Sequence, residues 1–311
     1  MYDVIALGEL LVDLAERAKD ENGYPTLAAN PGGAPGNFLA ALSAYGKKTA
    51  FLAKVGDDTF GHLLTGTMRR AGIDTRGILI SPDTFTTLAF VTFDAHGDRS
   101  FAFARKPGAD TQLTFDELDL SLIDETRVFH FGTLSLTDEP ARTTTYRAVE
   151  YAKTHGKLVT YDPNLRKPLW RSLDEAKEQM LWGLRQADVV KISDEEVEFL
   201  FGLGVQDGAQ YILDHYPVKL VFVTCGADGC WFQNCSASGH VDSLKGITVV
   251  DTTGAGDIFG GSAVWKLLQT GKAPEALDEA ELRVIVSFAC KAAGLSTTKH
   301  GGISSVPDSI S

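Results

Sequence analysis

Asp251-Thr252-Thr253-Gly254-Ala255-Gly256-Asp257 is the stretch of this chain that carries the most chemistry. Val249 and Val250 lead into it, and an apolar, helix-like run from Ile258 to Leu268 follows. Gly254 and Gly256 have no side chain to hold a ligand off the backbone. The helix they open has unpaired N–H groups and a positive dipole end, which together make a seat for an anion. Asp257 sets a carboxylate beside that seat. The pairing makes chemical sense if the carboxylate takes a proton from a hydroxyl that attacks phosphorus. The amides of Gly254, Ala255 and Gly256 then stabilise charge on the phosphoryl oxygens. Taken alone, a Gly-x-Gly before a helix is equally an ordinary tight turn.

Other stretches repeat the theme of polar groups at the ends of apolar elements. Glu9 to Asp13 reads as strand-like and ends in a carboxylate, either a turn residue or a hydrogen-bond acceptor for substrate. Gly32-Gly33-Ala34-Pro35-Gly36-Asn37 runs into an apolar helix beginning at Phe38. Asn37 offers both a donor and an acceptor, or simply an N-cap. In Asp162-Pro163-Asn164-Leu165-Arg166, Pro163 stops the preceding strand and leaves Asp162, Asn164 and Arg166 free to face a cleft. Ser193 and Glu196 have the spacing of a capping box. Thr224, Gly226 and Gly229 belong to a Gly-rich turn. Arg105 closes a hairpin over 86–105 whose turn is Ala95-His96-Gly97-Asp98, and reads either as a substrate contact or as a solvated side chain.

The elements that must position these groups follow from periodicity. From Arg127 onward strands and helices alternate: strands at 127–131, 157–161, 187–192 and 219–224, helices at 139–155 and 173–186, then 257–270 and 278–294. That order implies a parallel sheet covered on both faces, with ligands at the C-terminal ends of its strands. The 311 residues, 44% hydrophobic, suffice for a large core. A net charge of −12 argues against nucleic acid and anionic membrane surfaces as partners. No apolar run approaches the ~20 residues that span a bilayer. The first residues read as a strand rather than a signal peptide, so the cytoplasm is the expected location. Cys225, Cys230 and Cys235 lack the pairing of a zinc site and read as ordinary thiols.

In chain order, G-G-x-x-x-N, D-P-N-x-R, S-x-x-E, T-x-G-x-x-G and D-T-T-G-A-G-D resemble the signatures of the ribokinase/PfkB family of carbohydrate kinases. The resemblance runs from residue 2 to 307. It implies one ribokinase-like domain over 1–311: a three-layer α/β/α sandwich with a mostly parallel central sheet. It also implies a small β-sheet lid from about 10–30 and 85–105. It implies ATP as phosphoryl donor, Asp257 as general base, and a sugar held by Asp13, Gly32, Gly33 and Asn37, with Arg105 and Arg166 as further candidates. Ser193, Thr224, Gly226, Gly229, Gly254 and Gly256 would line the nucleotide site, with Cys290 where relatives often carry Asn. Glu196 would act on the outer shell of Mg2+. Asp251, Thr253, Ser296, Lys299, Gly301 and Ser305 match the positions of a K+ site. The absence of G-x-x-x-x-G-K-[ST] leaves the phosphates to the helix end.

Within the family, G-E-L-L-V-D, G-G-A-P-G-N, D-P-N-L-R and K-I-S-D-E-E favour the fructokinase branch. A 2-keto-3-deoxygluconate kinase is the alternative, since Arg105 or Arg166 could pair with a substrate carboxylate. A non-catalytic sugar- or nucleotide-binding relative is the reading from another class, and the intact Asp257 and glycines argue against it. The lid strands suggest a homodimer.

Overall fold

The computed structural model describes residues 1–93 and 99–307. The expected turn at Ala95-His96-Gly97-Asp98 lies outside the described residues. The first half contains β1 (Tyr2–Leu7), β2 (Leu11–Lys19), β3 (Pro25–Gly32), α1 (Ala34–Ala44), β4 (Thr49–Gly56), α2 (Thr59–Arg70), β5 (Ile73–Asp74), β6 (Ile78–Ser81), β7 (Leu88–Phe93) and β8 (Arg99–Ala104). Next come α3 (Leu120–Asp124), β9 (Thr126–Gly132), α4 (Ala141–Thr154), β10 (Leu158–Asp162), α5 (Leu173–Leu184), β11 (Val189–Ser193) and α6 (Asp194–Phe201). The chain closes with α7 (Val205–His215), β12 (Leu220–Thr224), β13 (Cys230–Asn234), β14 (Ser238–Val241), α8 (Ala255–Thr270) and α9 (Glu279–Ser296).

The large sheet has the order β14-β13-β12-β11-β10-β9-β1-β4-β5, with β6 also pairing β4. Its pairs are parallel from β12 to β5, and β13 and β14 add an antiparallel end. β1 illustrates why it is buried on both faces. Ile5 and Leu7 point into a core with Phe129, Phe131, Val190 and residues of α4 to α7. Val4 and Ala6, between them, point into another core with α1 and α8. Continuous apolar strands are what a parallel sheet with helices on both sides requires. The expected fold class is therefore the observed one.

The smaller sheet has the order β3-β2-β7-β8. Asp13 does not end a strand, as its sequence neighbourhood suggested. It is the third residue of nine in β2, because Leu14 and Ala15 continue pairing with both β3 and β7. Val249 and Val250 form no strand; they are 57% and 48% exposed in the loop before α8. Strands β5, β6 and β14 and helix α7 were not anticipated.

Helices α1 and α8 pack closely. A Cβ at Gly261 would stand 2.3 Å from the carbonyl oxygen of Phe38. Phe38 also stacks on the buried His130 ring of β9 at 3.7 Å. Burial first, and then the Lys191 charge, push that histidine's pKa down to about 3, so it is a neutral plate under α1.

Candidate active site

The first turns of α1 and α8 meet above the C-terminal end of the large sheet. Asn37 lies inside α1, not at its cap, because the helix starts at Ala34 with Pro35 in its first turn. Its Nδ2 donates to Asp257 Oδ2 at 2.8 Å. A carboxylate can only accept here, so this bond fixes which way the amide points. The amide oxygen, Oδ1, is then buried and has no partner among the described residues. An unpaired buried acceptor is costly. Here it lies against Gly302, where an added Cβ would stand 2.2 Å from it.

Gly254 caps α8 in the left-handed region at φ 76°, a conformation that favours glycine. A Cβ there would lie 2.8 Å from Gly302 Cα and 3.0 Å from Asn37 Nδ2. Ala255 N–H is turned to the Thr252 carbonyl at 3.3 Å. The amides of Gly256 and Asp257 follow it in the first turn of the helix. Of the expected Gly254, Ala255 and Gly256 amides, that of Ala255 is thus engaged within the loop.

The cation beside that turn is Lys191, on β11. A Cβ at Gly256 would be 2.9 Å from its Nζ. Lys191 pairs with Asp162 at 3.1 Å. Burial disfavours its ammonium, but Asp162, then Glu196 and Asp257, raise its pKa and keep it charged. Asp257 itself is raised by burial, against the pull of Lys191, Asn37 and Arg166. A carboxyl moved toward neutral pH is a better proton acceptor for catalysis than one at its ordinary value.

Glu196 and Ser193 form the expected capping box of α6. Ser193 is thereby spent as a cap, its hydroxyl accepting from Glu196 N. Glu196 does more: Oε1 accepts from Leu165 N at 2.7 Å while Oε2 accepts from Ser193 N at 2.9 Å. It thus pins the Asp162–Arg166 loop, in which Asn164 takes a positive φ of 46°. Each carboxylate oxygen keeps a second lone pair, an acceptor for the O–H of a water on a metal ion.

Thr224 ends β12, and its hydroxyl donates to the Ile192 carbonyl. Gly226 and Gly229 shape the turn that follows, closed by Cys225 N to Gly229 O at 2.8 Å. Cys290 is 7% exposed and packs in a core with Phe222, Phe232 and Phe259. Burial pushes its thiol up to about 12. It offers a neutral, apolar wall and not the polar contact an Asn would give.

On the substrate side, Gly32 and Gly33 matter by close approach. A Cβ at Gly32 would be 2.4 Å from Asp13 Oδ2, and one at Gly33 2.4 Å from the Glu9 carbonyl. Burial raises Asp13 to about 6; Arg166 opposes this, while Asp257 and Asp251 add to it. The Arg166 charge therefore acts on both Asp13 and Asp257, while its Nη1 donates to the Leu165 carbonyl. Arg105 differs from both of its expectations. It is 4% exposed, so it is not solvated. Its guanidinium is spent on Asp110 at 2.7 and 2.9 Å, Thr137 at 2.6 Å and the Leu134 carbonyl at 2.9 Å.

The 251 loop and the tail are bound together. Asp251 accepts from Thr253 N and Oγ1 through one oxygen and from Gly301 N at 3.1 Å through the other. Val250 N and Asp251 N donate to the Thr297 carbonyl. Ser296 and Ser305 turn their hydroxyl protons to Ala293 O and Gly302 O, and Lys299 N bonds Ser296 O.

Over residues 1–309 the chain matches the pfkB family of carbohydrate kinases. The chain belongs to that family. It is similar to fructokinase-1 of Zea mays, 42% identical over 98% of this chain and 94% of that one. It is 41% identical to fructokinase-2 of Solanum lycopersicum, over 98% and 93%. Among solved structures, a fructokinase from Xylella fastidiosa with bound ATP superposes with a TM-score of 0.90 at 28% identity, over 99% and 96% of the chains. A fructokinase from Vibrio cholerae bound to fructose, ADP and calcium gives 0.85 at 30% identity, over 98% and 96%. This carbohydrate kinase is a phosphotransferase acting on a hydroxyl group.

Sequence reasoning missed Lys191, Glu9 and Gly302 as site residues. Lys191 carries a usable signal: one charge inside Val189-Val190-Lys191-Ile192, where an unpaired lysine would be costly to bury. Gly302 carries none, since its role depends on Asn37, far away in the chain.

Proposed function

We propose that this carbohydrate kinase transfers the γ-phosphoryl group of ATP to the 6-hydroxyl of fructose. The observation that carries the reading is the Asn37–Asp257 hydrogen bond at the N-terminus of α8, with the amide oxygen of Asn37 unpaired. The sugar hydroxyl would donate to Asp257, which takes its proton as the oxygen attacks phosphorus. The amides of Gly256 and Asp257 and the charge of Lys191 would hold the phosphoryl oxygens. Glu196 would hold Mg2+ through water, supplying charge neutralisation at the phosphates. Gly226 and Gly229, with the apolar wall at Cys290, would line the nucleotide. The smaller sheet would act as a lid that keeps water from ATP.

The extensive identity with fructokinases supports fructose. So does the spending of Arg105, which leaves Arg166, whose charge acts on Asp13 and Asp257. A substrate carboxylate would meet those acids. The tie between the 251 loop and residues 296–305 supports a K+ site there. We also place a homodimer contact on the small sheet, where Tyr24 and Leu27 are exposed, and the enzyme's work in the cytoplasm. The test is ATP consumption with Mg2+, with and without K+, across fructose, 2-keto-3-deoxygluconate, ribose and adenosine. Turnover on fructose is expected. Turnover on the keto acid instead overturns the substrate, and turnover on none overturns the reading.

A further inference from the structure

The chain enters the smaller sheet ahead of β2 and β7 and leaves it after β3 and β8. These crossings converge on one buried ionic cluster. Glu9 stands before β2 and is 2% exposed. Its Oε1 accepts from Ala34 N at 2.8 Å, just after β3. Thr87 stands before β7, and its hydroxyl donates to Asp110. Arg105 follows β8 and grips the other oxygen of Asp110 through Nε and Nη2. The charges of Arg105 and Asp110 both act on the Glu9 carboxyl.

The same guanidinium reaches the body of the molecule. Its remaining hydrogen bonds go to Leu134 and Thr137, in the segment after β9. The cluster also touches the chemistry. Ala34 opens α1, one turn before Asn37, and a Cβ at Gly33 would overlap the Glu9 carbonyl. An apolar plug of similar volume would serve stability as well as a buried ion pair does. What a planar, multiply bonded fork adds is fixed direction.

We propose that Arg105 is a positioning residue: through Asp110, Leu134 and Thr137 it sets the angle of the smaller sheet on the body. It thereby ties closure over the sugar to the placement of Asn37 against Asp257. The inference deepens the kinase reading above and rests on it for its kinetic arm. Lysine at 105 would keep the charge and lose the fork. Loosening of this joint exposes the sheet roots, where Val12 N bonds Thr87 O and Ala109 N bonds Phe85 O.

The experiment compares wild type with Arg105→Lys and Thr137→Val. Hydrogen exchange is followed without ligand, and kinetics with the sugar that wild type phosphorylates. Arg105→Lys is expected to speed exchange at Val12, Ala34 and Ala109 by about tenfold while β9 and β10 stay unchanged. It should raise the sugar KM by about tenfold with kcat falling alongside, leave the ATP KM within about threefold, and raise sugar-free ATP hydrolysis relative to transfer. Thr137→Val should do the same in smaller measure, and it supplies the answer if the lysine variant does not fold. Unchanged exchange at the roots overturns the hinge, whatever sugar is used. A fall in kcat alone overturns it and assigns Arg105 to the chemical step instead. If wild type phosphorylates no sugar, the kinase reading fails while the exchange result still decides the joint.

Discussion

Gly302→Ala is the most discriminating single change this site offers. Gly302 has φ −85°, so alanine meets no backbone strain there. What a Cβ would meet is the amide of Asn37: Oδ1 at 2.2 Å, Cγ at 2.5 Å and Nδ2 at 2.6 Å. Carbon needs roughly 3.5 Å from its neighbours, so the amide must retreat by about 1 Å. The 2.8 Å bond to Asp257 then stretches past hydrogen-bond range. A misplacement of about 1 Å in reacting groups costs on the order of 10²-fold. That is about 2.7 kcal/mol of transition-state stabilisation, within the range for a hydrogen bond to a charged group. The assay is kcat/KM for sugar with ATP saturating, beside a thermal melt. We expect kcat/KM to fall about 10²-fold with a Tm shift of only a few degrees. Activity within about threefold of wild type would refute the role of the Asn37–Asp257 contact, and a collapse of Tm would refute the claim that Gly302 serves the site rather than the fold.

Asp257→Asn keeps the shape and removes the base; sugar phosphorylation should drop ~10²–10⁴-fold while ATP affinity, read by calorimetry, is retained. Lys191→Met should weaken nucleotide binding and slow transfer. It should also raise the Asp257 pKa further, so the acid limb of the kcat profile moves to higher pH; a profile that keeps its acid limb would mean that Lys191 does not face the base. Burial raises Glu9 from 4.5 to about 7. Between those values the native state binds more protons than the unfolded chain, so its stability falls as pH rises through the window. Glu9→Gln removes that slope. Urea unfolding at about pH 5 and about pH 8 should show the variant gaining on wild type by up to about 3 kcal/mol at the higher pH, and parallel curves would sink the argument.

Local features were legible in the sequence and distant pairings were not. Gly254 to Asp257 announces a helix end and an acid because glycine freedom, helix dipole and carboxylate act within a few residues of one another. Ser193 and Glu196 announce a cap for the same reason. The second duty of Glu196, on Leu165, joins segments separated by helix α5 and strand β11. Arg105 was misread because Arg-Lys-Pro-Gly-Ala-Asp looks like a polar turn, and Thr137 and Leu134 are brought to it only by the fold. The resemblance gave Asn37 to the sugar and Asp257 to the proton, but their hydrogen bond to each other was not read, since nothing in either neighbourhood points to the other. Helix α7 escaped because Asp207 and Gly208 near its start read as loop residues.

The close seam between α1 and α8 bears on how such an enzyme can be altered. With Gly261 lying against the Phe38 carbonyl, the helices that carry Asn37 and Asp257 form one stiff block. Any side chain added at that seam would disturb both at once. The residues of β2, β7 and β8 sit outside the block, on a sheet joined to it through a few roots. Directed evolution toward new acceptor sugars should therefore draw its gains from the detachable half, leaving the reacting half untouched as a reusable module.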